Sequence, residues 1–338
     1  MANPVLVELT RGAVVESVHR GSVAISDARG KLVFALGDIA LPVYPRSSLK
    51  PIQALPLLES GAADAFQVSE EEIALACASH SGEPMHTERV AAWLARLGLA
   101  EQDLACGTHP VRYEPVAEDM IRHGEKPTRI HNNCSGKHTG FLAVARQWNV
   151  ATAGYERHDH PVQQAVARAT SELGGIAPDL PWGIDGCAAP NFALPLSAFA
   201  RSLAQFADPA DLSPERTKAV RRIFAAMVAH PELVAGTGRA CTILMRACRG
   251  RVAVKTGAEG VFAAIVPETG LGIALKIDDG AGRAAETAIA FLLDRMGLAD
   301  HEAVRDMIHT PLVNTRGSVT GERRPAAALE HASLPALH

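Results

Sequence analysis

The chain opens and closes in strand pattern and is helical in between, and this order limits its fold more than any single motif. VLVELTRG, AVVESVHRGSVAISD and KLVFALGD alternate β-branched residues, with turn signals at Gly12, at Arg20-Gly21 and at Asp27-Ala28-Arg29-Gly30. This predicts an antiparallel meander. At SSLKPIQALPLLESG the apolar spacing changes to the helical period. The run continues through SEEEIALACASH, PMHTERVAAWLARLG, HTGFLAVARQW, HPVQQAVARATSELGG, PLSAFARSLAQFA and SPERTKAVRRIFAAMVAHP. RVAVKTGAEGVFAAIVPETGLGIALKID then returns to strand pattern, with Glu268-Thr269-Gly270 as a turn, and GRAAETAIAFLLDRMG is a closing helix. The tail after about residue 325 reads as a loose chain end. Strands at the two termini need partners, so they are expected to share one antiparallel sheet. The fold class is therefore α+β. We expect a single catalytic domain over 1–338 with a sheet lobe (about 1–45 and 250–325) and a central helical lobe (about 46–249).

Composition narrows the function classes. With 338 residues, 47% hydrophobic and 21% charged, the chain can bury a large core. A net charge of −4, aromatics at 4% and no basic stripe argue against nucleic acid as a partner. No run is long enough to span a membrane, and MANPVLVELTRG lacks the pattern of a signal peptide. The six cysteines are scattered, and a chain of this length needs no disulfide framework, so reduced thiols in a cytoplasmic enzyme are expected.

Glycine and reactive side chains coincide in RSSLK, CASHSGE, NNCSGKHTG, GIDGCAAPNF and KTGAEG. In the first, Ser47 and Lys50 form S-x-x-K at a helix start, where positions i and i+3 share a face. A lysine there can activate a weak serine nucleophile. The plain alternative is that Ser47 or Ser48 caps the helix, but only Ser47 has a lysine three residues on. Lys255-Thr256-Gly257 supplies K-T-G at the end of a predicted strand. Penicillin-recognising serine enzymes combine these two motifs in this order and context.

Together YPRSSLKPIQ, CASHSGEPMH, NNCSGKHTGFL, GIDGCAAPNFALPL, GTGR and KTGAEG resemble the asparaginase II family of the rhizobial type, over about residues 5–325. The resemblance implies a fold like serine β-lactamases and serine glutaminases, a homodimer, and hydrolysis of L-asparagine to aspartate and ammonia. It also implies a zinc ion held by Cys134, Lys137 and Cys187, which we expect to orient substrate rather than generate hydroxide, because the serine already supplies the nucleophile. The residues suit this chemistry. Ser47 is the expected nucleophile, with its backbone N–H a candidate oxyanion donor, and Lys50 is its base. Ser79 and Lys255 form a second Ser-Lys pair relaying protons to the leaving ammonia. Arg46 suits the substrate carboxylate. Asp185 suits its ammonium, with Glu259 a second candidate, and His80 lies with the substrate-binding residues.

Other readings of the same residues stand beside these. Ser79 can cap a turn, Arg46 can be a surface charge, and Asp185 an ordinary turn former. Cys134 and Cys187 could be buried thiols, a disulfide, or a cysteine nucleophile partnered by His138. His80, Glu83 and His86 read mostly as local hydrogen bonders near the site, and Cys241 and Cys248 as core or near-site thiols. SGKHTG lacks the upstream glycine and the Ser/Thr of a phosphate loop. GTGRAC lacks the third glycine of a dinucleotide fingerprint, and no T-G-G-T-I start of the threonine-type asparaginases is present. The alternatives kept are a glutaminase or penicillin-recognising enzyme, and a non-catalytic zinc protein that would not need Ser47 or Lys50.

Overall fold

The structure is a computed structural model and describes residues 2–335. The chain divides into two compact units. One comprises residues up to Ser48, Leu194–Asp208 and the residues from Ile243 onward; the other comprises Leu49–Ala193 and Pro209–Thr242.

The first unit is built on an eight-stranded antiparallel sheet. Its strands are β1 (Val5–Arg11), β2 (Val14–Asp27), β3 (Leu32–Leu36), β4 (Ala253–Thr256), β5 (Val261–Val266), β6 (Leu271–Ile277), β7 (Thr310–Val313) and β8 (Val319–Pro325). They lie in the order β7-β8-β1-β2-β6-β5-β4, with β3 also on β2. The termini share one sheet, as expected: Val7 pairs with Pro325, and Ile25 with Ile273. Every residue of β5 is buried, the mark of a strand covered on both faces. The helices Leu196–Ala207 and Gly282–Arg295 both pack on it.

Three expectations are corrected here. The signal at Arg20-Gly21 is not a turn, because β2 runs unbroken for 14 residues. It pairs with β1 up to Arg20 and with β6 from Gly21 onward. A Cβ on Gly21 would lie 2.3 Å from the Lys276 carbonyl oxygen, so the glycine serves a close strand approach at the change of partner. Second, the helix Leu196–Ala207, expected in the helical lobe, belongs to the sheet unit. Gly272 of β6 lets its backbone come so near that a Cβ would stand 2.2 Å from Ala200 O. Third, the tail forms a helical turn over Ala327–Glu330 with Leu329 fully buried, so its described part is anchored rather than loose.

The second unit is helical, and its helices begin and end by local chemistry. Glu70–Ala76 opens on a capping box between Ser69 and Glu72. Pro84 starts Pro84–Arg96 at a position where its missing N–H costs nothing. Pro161–Gly174 ends on Gly175 in the left-handed conformation. Pro51 and Pro56 divide the segment after RSSLK into two short helices, Lys50–Gln53 and Leu55–Glu59. A small hairpin, Trp182–Ile184 with Pro190–Phe192, carries Asp185 and Cys187 in its loop.

Candidate active site

In the sheet unit, RSSL forms a 3₁₀ turn over Arg46–Leu49. Ser47 is half-buried within it, and Lys50 opens the α-helix that follows. The Pro45 carbonyl accepts from Ser48 N at 3.2 Å and from Ser48 Oγ at 2.6 Å, so Ser48 is spent on holding the turn. The K-T-G strand end lies directly against this turn. A Cβ on Gly257 would be 2.3 Å from Pro45 O and 3.4 Å from Ser48 N. Only a glycine fits there without displacing one of them, and the chain thereby sets β4, with buried Lys255, beside the turn that carries Ser47. Lys255 Nζ donates to Thr256 O at 2.9 Å.

Arg46 and Glu259 meet in one groove of the sheet unit, of about 540 Å³, lined also by Asn3, Tyr44, Lys276 and Asp278. Both are non-glycine residues in the left-handed region, at φ 55° and 58°. That conformation costs of order 1 kcal/mol or more and persists where its surroundings impose it. In sequence Lys276 is one more residue of a strand pattern. Burial lowers its pKa, against the charges of Asp278 and Glu259, which raise it.

In the helical unit, Lys50 is 1% exposed. Its Nζ donates to Ala78 O, to Ser79 Oγ at 3.0 Å and to Asn133 O at 3.5 Å. The lysine that sequence spacing pairs with Ser47 bonds Ser79, which is itself held by a bond from its N–H to Val234 O at 2.9 Å. His80 is buried too. Its Nδ1 accepts from Gly82 N at 3.2 Å, so Nε2 carries the proton and donates to Ser135 Oγ at 2.8 Å. Its ring stacks on His86, 4.9 Å between centroids. Burial first, then the charges of His86 and Lys50, hold His80 well below the usual histidine range.

Glu83 binds the neighbouring loop, a role that local sequence spacing does not reveal. Oε1 accepts from Ser81 Oγ at 2.5 Å and from Thr237 N at 2.9 Å, and Oε2 from Thr237 Oγ1 at 2.6 Å. Burial pushes this carboxyl up, but these hydrogen bonds outweigh it and the net shift is down. Gly236 is required at this contact, since a Cβ would meet Ser81 Oγ at 1.8 Å.

Cys134, Lys137 and Cys187 converge and are nearly fully buried. Lys137 Nζ donates to Cys187 Sγ at 3.1 Å. A hydrogen bond from Cys134, ahead of the charge of Lys137, holds Cys187 well below the usual thiol range, while that same bond helps push Cys134 up to about 12. Burial opposes the charge on Lys137, but Cys187, Cys134 and Asp185 outweigh it and raise its pKa. Two sulfurs and an amine in one buried cluster suit a borderline-soft cation. Among the described residues no group of three His, Cys, Asp or Glu side chains could hold a metal. Asp185 is half-buried beside this cluster, in the helical unit, whereas Arg46 and Glu259 share the groove of the sheet unit. His138 turns to Tyr155, its Nδ1 lying 2.6 Å from the hydroxyl.

No helix among the described residues is long and apolar enough to cross a membrane. No curated protein matches the chain. Among solved structures, a β-lactamase from Mycobacterium bovis is 14% identical, with 85% of this chain and 94% of that one covered and a TM-score of 0.43. Mglu in its native form is 13% identical, with 83% and 65% covered and a TM-score of 0.49. A simvastatin synthase from Aspergillus terreus is 12% identical, with 80% and 88% covered and a TM-score of 0.36. Residues 7–325 match the family model described as L-asparaginase II. The chain belongs to the L-asparaginase II family and is an amidohydrolase.

Proposed function

We propose that this amidohydrolase acts on the side-chain amide of L-asparagine, giving L-aspartate and ammonia through an ester on Ser47. The observation that carries this reading is the seat of Gly257 against the Pro45–Ser48 turn, which sets the K-T-G strand end beside the turn that carries Ser47.

A carboxamide is a poor electrophile, so it needs an activated nucleophile and a route for protons. Ser47 Oγ attacks the amide carbon and its proton passes to the Lys50 amine. The tetrahedral intermediate collapses when the nitrogen, protonated through Ser79 and Lys255, leaves as ammonia. The Lys50–Ser79 hydrogen bond supports such a relay. Water then opens the β-aspartyl ester, releases aspartate and returns a proton to Ser47.

Cys134, Lys137 and Cys187 are the residues that would hold zinc, which would add positive charge that orients the substrate. Asp185, close enough to that cluster to act on Lys137, and Glu259 are the two carboxylates open to the substrate ammonium. We place the enzyme in the cytoplasm, where buried thiols stay reduced, as a homodimer.

The test is ammonia release from L-asparagine and L-glutamine, with and without added zinc. Release from asparagine that disappears in Ser47→Ala supports the reading. Equal or faster release from glutamine moves the assignment to a glutaminase. No release from either at several pH values, with zinc present, discards the asparaginase reading and directs the search to β-lactams and other acyl substrates. Zinc binding that survives in an inactive Ser47→Ala variant rejects the non-catalytic zinc protein.

A further inference from the structure

The groove at Arg46 gathers charge in a pattern that the rest of the sheet unit does not explain. Arg46 and Lys276 bring two cations to it and Glu259 an anion. Its two other carboxylates are engaged locally. Asp38 accepts from the backbone of Ala40 and Leu41 at 3.1 and 3.2 Å, and Asp278 accepts from Asn3 Nδ2 at 2.9 Å. Arg46 and Glu259 are both held in left-handed backbone, a cost that propensity alone would remove by placing glycine at either position. Gly260 follows Glu259 at φ 67° and sits so close that a Cβ would meet Ile277 Cβ at 2.8 Å. The loop that carries Glu259 is thereby locked to the strand that carries Lys276. Lys276 is half-buried, and its Nζ donates to Ile277 O. An ammonium held at a partly desolvated position, in one groove with an arginine and a glutamate, is the complement of a carboxylate on a zwitterion. Arg46, which lines the groove, immediately precedes the residue assigned as nucleophile in the same turn.

We propose that this groove receives the α-amino-acid head of the substrate and that Lys276 is its specificity-determining residue, sharing the α-carboxylate with Arg46 while Glu259 takes the α-ammonium. This rests on the asparaginase reading above and adds a residue to it. Lys276 is given no part in the proton relay, so its removal should weaken binding of substrates that carry a carboxylate and leave the chemical step alone.

The experiment compares wild type, Lys276→Met and Lys276→Arg on L-asparagine and on 3-aminopropanamide, which keeps the amide but lacks the α-carboxylate. Lys276→Met should raise KM for asparagine about 10- to 100-fold with kcat within about twofold, and Lys276→Arg should restore most of the loss. The kcat/KM for 3-aminopropanamide should be the same in all three. Equal losses on both substrates in Lys276→Met, or no change in KM for asparagine, overturns the proposal. A Lys276→Met protein that fails to fold leaves Lys276→Arg and Glu259→Gln to decide. If neither changes KM for asparagine, the proposal falls. Calorimetric titration with L-aspartate separates the two readings. If wild type binds aspartate and Lys276→Met does not, the groove assignment stands even should the enzyme release no ammonia from asparagine. Equal binding by both, or no binding by wild type, removes it.

Discussion

Replacing Gly257 with alanine tests whether the turn at Ser47 and the K-T-G strand act as one rigid body. The added Cβ would lie 2.3 Å from Pro45 O, 3.1 Å from Val261 Cβ and 3.4 Å from Ser48 N. Gly257 does not need left-handed backbone, so sterics alone are tested. Reaching ordinary contact with Pro45 O requires a shift of roughly 1 Å, and overpacking of this kind costs about 1–3 kcal/mol. The moving atom is the carbonyl that accepts both Ser48 bonds, so the displacement is passed to the turn rather than absorbed by a flexible side chain. A misplacement of about 1 Å at a nucleophile is worth on the order of 100-fold in rate. We therefore expect Gly257→Ala to fold, with a lower Tm by circular dichroism, and to lose about 100-fold in kcat for ammonia release. Gly282→Ala is the control: it opens a helix, and its Cβ would meet nothing within 4 Å. It should match wild type in rate and stability. A Gly257→Ala enzyme with wild-type kcat would refute the claim that this contact sets the position of Ser47.

Three further outcomes follow from the same geometry. Lys50→Met removes the ammonium that donates to Ala78 O and Ser79 Oγ in a buried site. It should abolish activity and lower stability by about 1–3 kcal/mol for each group left unpaired, read from urea unfolding. Wild type should retain about one zinc per chain after dialysis and lose it in Cys187→Ala, with KM for asparagine raised more than kcat is lowered; unchanged metal content by atomic absorption would reject the assigned ligands. His80 and His86 are both held below 6.5 in the fold, so only the unfolded chain takes up their protons as pH falls through that value. Their contribution to stability is present above about pH 6.5 and declines below it, joined by that of Glu83 as pH falls below 4.5. Tm should therefore drop from pH 7 to 5, and His80→Gln should flatten that slope; a parallel pH profile in the variant would contradict it.

Much of the fold was legible because its signals are local. The capping box at Ser69, the proline at Pro84 and the alternation in β1 to β3 each carry their own instruction. Gly21 was not, because glycine in a strand marks a turn or a close approach with the same letter, and only the Lys276 carbonyl decides between them. The unit to which Leu196–Ala207 belongs depended on Gly272, some 70 residues away along the chain. At the site, S-x-x-K and K-T-G were visible as spacings, whereas the bond from Lys50 to Ser79 joins residues 29 apart. The clamp from Glu83 to Thr237 spans 154 positions, and Lys276 reads in sequence as one more residue of a strand.

The long strand β2 has a consequence for how the molecule is made. Its first half is zipped to β1, whose other neighbour is β8, and its second half to β6. Val7 finds Pro325 and Gly21 finds Ile277. A ribosome delivers the β1–β2 hairpin first, yet two of its edges stay open until β6 and β8 have emerged. Contacts of such sequence separation close slowly, and unpaired strand edges invite association meanwhile. The helical unit ends at Thr242, so all of its segments emerge before β4 to β8. Biogenesis of this enzyme should therefore be governed by the wait for its last strands, and truncation just before Val319 should leave β1 without its partner and trap the nascent protein in an aggregating state.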